Sequence, residues 1–283
     1  MKLLILTFAA AAAIAIAQPP GVTQSVTQIM ARVAENQSQA REQRKNWVYH
    51  QKQRLRFLRG NGKVAREEHR EYAVVPDVRG LKKDLTRFDG KYETGGKYIS
   101  YDKPGYTYKE MDIDGELIDE MSNEMTNDNS RDGIGKDLFP LTAQEQEKYN
   151  FKLIGNQTYR GRPVYRIAFE PKPHQKSEEN NSMWKGEALI DIEECQPVMI
   201  SSKLASKIPM AVQILLGTNI QGLGFSVAYQ KFADGVWFPV SYGGEFEVRA
   251  VFFYKRNIAI SMVNADFRRT DVSSSVAYAT EEK

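Results

Sequence analysis

Few residues in this chain have the types and spacing that catalysis or metal binding requires. The three histidines, His50, His69 and His174, stand far apart, and none has the spacing of a metal-ligand pair. Ser226 follows Gly224-Phe225 but lacks the final glycine of a nucleophile elbow. The sequence also contains no H-E-x-x-H motif and no P-loop. We therefore predict a non-enzymatic protein with no metal and no cofactor.

Acidic residues and one polar loop complete the candidates for chemistry. The acidic cluster comprises Asp112, Asp114, Glu116, Asp119 and Glu120. Nothing in its spacing fixes two carboxylates on opposite sides of a substrate, as a glycosidase requires. Residues 128–139 begin like a calcium-binding loop, but Phe139 stands where a bidentate Glu is needed. We predict a surface loop there rather than a metal site.

Composition and charge indicate a folded protein whose partner is not a nucleic acid. The chain has 283 residues, of which 41% are hydrophobic, and a formal net charge of +3. That charge is too small for a nucleic-acid footprint, and basic and acidic residues alternate along the chain. Cys195 is the only cysteine, so no intramolecular disulfide can form. We predict a partly buried strand-end position for it, because its acidic surroundings disfavour a thiolate.

The first 17 residues predict export. Lys2 precedes a short apolar run, and Ala15-Ile16-Ala17 is a small-x-small cleavage site before Gln18. The apolar run is too short to span a bilayer as a helix. We predict cleavage near Ala17, a single mature domain over residues 18–283, and a periplasmic location.

One amphipathic helix and many strands would position any functional group. Apolar residues recur at helical spacing over residues 22–33, which predicts a helix there. Residues 47–58 alternate as a strand, and Asn61-Gly62 predicts the hairpin turn that follows. Residues 184–269 form the longest strand-rich run. So much consecutive antiparallel strand predicts a large curved sheet.

Three segments depart from simple strand alternation. Residues 66–71 are charged on both parities, which predicts a strand that is wet on both faces, either at an edge of the sheet or projecting past the core. Residues 208–223 are apolar without a strand period and predict a helix or lid lying on the sheet. Thr142 and Glu145 have the spacing of a capping box, which predicts a short helix.

The order of these features resembles the periplasmic lipoprotein carriers and outer-membrane lipoprotein-sorting proteins. The resemblance begins with the signal sequence and the helix at residues 22–33. It continues through residues 155–165 (GNQTYRGRPVY), residues 186–191 (GEALID) with Pro197-Val198 downstream, and residues 232–240 (FADGVWFPV). No cargo-gating arginine of the family can be matched to this chain.

That resemblance implies an α+β fold, in which a strongly curved antiparallel sheet forms an incomplete β-barrel and helices cover its concave face. It further implies that acyl chains of lipids or lipoproteins bind in an apolar hollow and pass between membrane-bound donor and acceptor proteins. We expect the hollow to be lined by Leu55, Phe57, Tyr165, Ile167, Phe169, Ile190, Ile200, Ile214, Leu215, Trp237, Phe246 and Phe252.

Two other functions remain open from the sequence. The same fold with a filled core would suit a structural, interaction or sensor module of the cell envelope, with an exposed sheet edge near residues 66–71. A hydrolase whose site is assembled from distant strands would leave no local motif. The state of the concave face separates the three functions. It would be apolar and open in a carrier, filled in an interaction module, and polar in a hydrolase.

Overall fold

The computed structural model describes residues 24–77, 80–126, 141–173, 184–205, 218–250 and 254–270. The predicted signal sequence, the loop at residues 128–139 and His174 lie outside these ranges. Three of the expected lining residues, Ile214, Leu215 and Phe252, lie outside them as well. None of the helices in the described ranges is both long and apolar enough to cross a membrane.

Three helices and eleven strands make up the described chain. The helices are α1 (Val26–Arg44), α2 (Ile113–Thr126) and α3 (Ala143–Gln146). The strands are β1 (Trp47–Leu58), β2 (Val64–Asp77), β3 (Gly80–Thr94), β4 (Lys97–Tyr101), β5 (Tyr149–Tyr159), β6 (Arg162–Pro171), β7 (Trp184–Asp191), β8 (Pro197–Leu204), β9 (Thr218–Ala233), β10 (Val236–Ala250) and β11 (Tyr254–Arg269).

All eleven strands form one antiparallel sheet in the order β4-β3-β2-β1-β11-β10-β9-β8-β7-β6-β5. The chain meanders from β1 to β4 at one edge and then crosses to β5 at the other edge. It returns through consecutive neighbours until β11 pairs with β1, from Trp47 opposite Arg269 to Leu58 opposite Asn257. The crossover contains α2 and α3, so these helices lie over the sheet between its two edges.

Helices cover one face of the sheet, which we call the inner face. α1 packs against β10 and β5, α2 packs against β2, and α3 joins α1 to β5. Ile29 of α1 and Ile118 of α2 are fully buried in the same hydrophobic cluster as residues of β1 and of β5 to β11. The fold class predicted from the sequence, a curved open antiparallel sheet with helices on one face, is confirmed.

Two glycines allow neighbouring strands to approach closely where the sheet bends. A Cβ atom at Gly186 on β7 would lie 1.9 Å from the carbonyl oxygen of Ser201 on β8. A Cβ atom at Gly244 on β10 would lie 2.4 Å from the ring of Phe225 on β9. Glycine within a strand marks this kind of close backbone approach. The close approach of these strands therefore depends on the absence of a side chain at Gly186 and Gly244.

Two predictions about local structure were wrong. β2 is an interior strand between β1 and β3, not an edge, and its residues Arg66, Glu67, Glu68 and Arg70 are nearly fully buried. Their charges are accommodated because neighbouring strands and α2 supply opposite charges. Residues 218–223, expected in a helix or lid, begin β9 because their backbone pairs with the end of β10. The remainder of that apolar segment, residues 206–217, lies outside the described ranges.

We expect Gly186→Ala to destabilise the fold by about 1–3 kcal/mol, since the new methyl group would meet backbone that cannot move independently. Gly60→Ala is the matched control, because no atom lies within 4 Å of its Cβ position. Urea denaturation of both variants measures the difference. Equal stabilities would show that the sheet accommodates a side chain at Gly186 and that the close approach is not required.

Candidate functional site

The candidate site is the apolar part of the inner face. Nine of the expected lining residues lie in the described ranges, and all nine belong to one hydrophobic cluster or pack against it. Seven of them are at most 3% exposed: Leu55, Phe57, Ile167, Phe169, Ile190, Ile200 and Trp237. Tyr165 and Phe246 are partly buried at its border. The sheet thus brings together residues from β1, β6, β7, β8 and β10.

α1 covers this cluster and is held in place mainly through its C-terminal half. The Nδ2 of Asn36 donates to the carbonyl oxygen of Glu194 at 2.7 Å, and the Nε2 of Gln37 donates to the Oε1 of Gln196 at 2.5 Å. The Nη1 of Arg44 donates to the carbonyl oxygen of Trp237 at 2.7 Å. The helix predicted from the sequence ends at residue 33, whereas α1 continues to Arg44, and these polar contacts hold the additional turns against the β7–β8 turn and β10.

The N-terminal half of α1 begins at a capping box that the sequence also contains. Ser25 Oγ accepts from the backbone N–H of Gln28, and Gln28 Oε1 accepts from the backbone N–H of Ser25. This arrangement satisfies free backbone donors at the start of the helix. Ile29, Met30 and Val33 then face the cluster. In the described chain, the polar contact from α3 to this half is Gln146 Nε2 to the carbonyl oxygen of Met30, at 2.9 Å.

The apolar inner face is closely packed. Between its side chains the structure leaves a small cavity of about 10 Å³, which is roughly the space of one water molecule. Only apolar residues line it: Met30, Leu141, Phe151, Ile167, Phe169, Ala188 and Ile200. Three of the expected lining residues therefore surround a residual space rather than an open hollow.

A much larger groove lies beside this small cavity, between α1, α3 and the start of β5. Its volume is about 990 Å³, and its apolar floor includes Val26, Met30, Ala31, Ala34 and Phe151. Polar side chains form the rim, with Glu35 and Arg41 from α1 and Glu147 and Lys172 from the β5 side. Met30 and Phe151 line both the groove and the small cavity. These two side chains therefore belong to the lining of both the large space and the small one.

The apolar character of the inner face ends at β1. On β2, Glu68 lies opposite Leu55, and Arg66 lies opposite Phe57. Arg66 Nη1 contacts Asp112 Oδ2 at 2.6 Å, and Arg66 Nε donates to the Tyr101 hydroxyl at 2.7 Å. The apolar site is therefore confined to the part of the sheet from β1 through β11 to β5.

These side chains form one network, buried except at Asp119, which we call the ion cluster: Arg66, Glu68, Arg70, Tyr101, Asp112 and Asp119. Arg70 Nη2 contacts Glu68 at 2.5 Å and Asp119 at 2.6 Å, while the Tyr101 hydroxyl donates to Glu68 at 2.6 Å. Burial, with the Glu68 charge, raises the pKa of Tyr101 above its ordinary range, so the hydroxyl remains a donor. The sequence indicated Asp112 and Asp119 as members of an acidic cluster, but it could not place the arginines that pair with them.

Ser226 and Cys195, the other candidates that the structure describes, make structural contacts. Ser226 Oγ lies 3.1 Å from Ser201 Oγ, which is a cross-strand pair of hydroxyls. Cys195 is fully buried in the β7–β8 turn, and that burial raises the pKa of its thiol. Among the described residues, no group of three or more His, Cys, Asp or Glu side chains could hold a metal ion.

Comparisons with known proteins give structural neighbours only. No family model matches this sequence, and no curated protein matches it. A DUF1329 family protein from Desulfovibrio piger is 11% identical, with a TM-score of 0.34 over 88% of this chain and 95% of that one. A putative outer membrane lipoprotein-sorting protein domain from Vibrio parahaemolyticus is 11% identical, with a TM-score of 0.32 over 84% and 92%.

A LolA superfamily protein from Nitrosomonas europaea is 10% identical, with a TM-score of 0.33 over 85% of this chain and 93% of that one. The names of the last two neighbours are those of the group of proteins that the sequence resembles. With TM-scores below 0.5, these likenesses carry no argument about function. The function must be argued from the groove and the inner face themselves.

We expect Arg66→Met to destabilise the protein by about 3–5 kcal/mol, because it leaves Asp112 and Glu68 buried without their cation. Arg166→Met is the matched control, since the ion pair of Arg166 with Glu187 is exposed and its loss should change stability little. Denaturant unfolding of the two variants provides the measurement. A similar small loss in both would mean that the ion cluster does not hold the crossover.

Stability should also depend on pH through Glu67, which lies on the other face of β2. Burial alone would raise the pKa of Glu67, but contacts with Lys91, His69 and Arg54 outweigh it and lower the pKa to about 2. A depressed carboxyl pKa stabilises the fold above the ordinary value of 4.5, and the contribution is lost as the pH falls towards 2.

The free-energy difference between wild type and Glu67→Gln should therefore be constant from pH 7 to pH 5 and shrink progressively at lower pH. Glu71→Gln is the control, because its cation contacts are long, at 3.8 and 4.0 Å. A Glu67→Gln difference that does not change between pH 7 and pH 2 would contradict this assignment.

Proposed function

We propose that this protein binds acyl chains of lipids or lipoproteins, with the groove beside α1 as the place where a chain first binds. The observation that carries the proposal is the 990 Å³ groove, whose apolar floor adjoins the all-apolar cavity of the inner face. Small-molecule sites usually measure about 300–1,000 Å³, so the groove is large enough for an extended ligand.

An acyl chain suits the chemistry of the groove better than a polar ligand does. Most of the exposed lining is apolar, with side-chain carbon from Val26, Met30, Ala31, Ala34 and Phe151, although polar side chains such as Gln37 and Gln146 line the groove as well. Burying each methylene contributes about 0.8 kcal/mol, so affinity would accumulate along the chain without covalent chemistry. The polar rim would leave the charged or polar end of the ligand in water.

The wider role follows from this binding mode. We propose an exported, non-enzymatic carrier whose mature domain, residues 18–283, serves lipoprotein sorting or lipid transport in the periplasm. Such a carrier needs membrane-bound donor and acceptor proteins at either end of its route. The signal sequence predicted at residues 1–17 supports the export part of this proposal.

The second candidate is an interaction module of the cell envelope, and the close packing of the inner face favours it. Its contact surface would not be residues 66–71, since β2 is internal. In the described sheet the edges are β4 and β5, and a partner strand would have to pair with one of them.

Uptake of a fluorescent fatty acid by Ala31→Trp tests the acyl-chain proposal. Ala31 is exposed and lines the groove, so an indole there should fill the space without disturbing the core. We expect affinity to fall at least tenfold. Gln39→Trp is the matched control, because Gln39 is exposed on α1 and does not line the groove.

Equal binding by both tryptophan variants would show that the ligand does not use the groove. Native mass spectrometry of the mature protein, with organic extraction, then identifies any bound lipid. A clean mass with no fatty-acid uptake by wild type would favour the interaction module instead.

A further inference from the structure

We infer that Met30 and Phe151 form a partition that sets the length of acyl chain this protein accepts. The inference rests on the proposed function and adds the residues that would determine specificity. It follows from the geometry of two spaces that share these side chains and differ about a hundredfold in volume.

Met30 approaches the partition from α1. Its side chain is 3% exposed, and its carbonyl oxygen accepts the hydrogen bond from Gln146 on α3. The helix is thereby fixed against α3 at this residue. An unbranched thioether side chain has three rotatable bonds and adapts its shape easily. Met30 can therefore change rotamer while the backbone of α1 stays in place.

Phe151 approaches the partition from the opposite side. It lies on edge strand β5, opposite Phe169 of β6 in the register, and is partly buried. Tyr149, two residues earlier, packs its ring edge-on against Phe169 at 6.0 Å. This contact fixes the start of β5, and the side chain of Phe151 lines both the groove and the small cavity.

The volumes explain why the partition would limit chain length. In the groove, each added methylene should strengthen binding about fourfold, which corresponds to 0.8 kcal/mol. Behind Met30 and Phe151 the cavity measures about 10 Å³, which does not hold even a short piece of chain. The gain should therefore stop once the chain end reaches these two side chains. Removing either one would extend the groove towards Ile167 and Ile200.

The test is competition of saturated fatty acids of 8 to 18 carbons against a bound fluorescent fatty acid, using the full mature protein. The affinity of wild type should rise about fourfold with each methylene up to a limiting chain length and then level off. In Met30→Ala and Phe151→Ala, the affinity should continue to rise for at least two methylenes beyond that length. Their affinity for the longest acids, relative to the shortest, should then exceed that of wild type by about 15-fold.

Val33→Ala is the matched control, because Val33 is fully buried on the same helix face and lines neither space. It should lose stability comparably and keep the wild-type chain-length limit. Phe151 is partly buried on an edge strand, so Phe151→Ala remains informative even where Met30→Ala fails to fold.

The outcomes separate the two levels of the proposal. Binding by wild type with the same chain-length limit in Met30→Ala and Phe151→Ala overturns the partition alone. A shift of equal size in Val33→Ala also overturns it, because general loosening would then suffice. No fatty-acid binding by wild type overturns the proposed function, and the partition falls with it.

Discussion

The structure depends on how the chain crosses from one edge of an eleven-stranded sheet to the other. Between β4 and β5 it must traverse the inner face, and the ion cluster fixes the start of this crossover on β2. Asp112 and Asp119 bind Arg66 and Arg70, while Asp114 accepts from the hydroxyl of Tyr254 at 2.7 Å on β11. Buried ion pairs contribute little net stability but are costly to break, so they fix position more than they stabilise. These contacts thereby fix the position of the crossover over β2 and β11.

This anchoring divides the inner face into two regions with different chemistry. Where α2 lies on β2, carboxylates and guanidinium groups pair in mostly buried positions. From β1 to β5, the face is mainly apolar, apart from the buried amides of Gln51, Gln53 and Asn264, and is covered by α1, whose C-terminal half is tied to the β7–β8 turn and β10. The groove opens in the apolar region, beside the N-terminal half of α1. A binding site for hydrocarbon can exist there because the charges of the crossover are satisfied elsewhere.

Local sequence signals predicted the parts of the fold that local physics decides. The spacing of Thr142 and Glu145 predicts a capping box, and both of its hydrogen bonds are present. The alternation of residues 47–58 predicts β1 with its bounds. The interior, buried position of β2 could not be predicted in the same way, because Asp112 and Asp119, which pair with Arg66 and Arg70, lie 46 and 49 residues away. The groove was also missed, since it needs α1, α3 and β5 together, and no one of these segments carries a sign of it.

The packed inner face does not by itself decide between a carrier and an interaction module. An apolar void costs about 24 cal/mol per Å³, so an unfilled hollow of 300 Å³ would cost about 7 kcal/mol. Whole domains are stable by only about 5–15 kcal/mol. An unfilled hollow would therefore be costly for a carrier, so a filled core does not exclude one even though it favours the interaction module. What distinguishes them is an apolar entrance next to that core, separated from it by side chains that can move. The groove, with Met30 and Phe151 at its inner end, has this arrangement, and it is the reason to prefer the carrier.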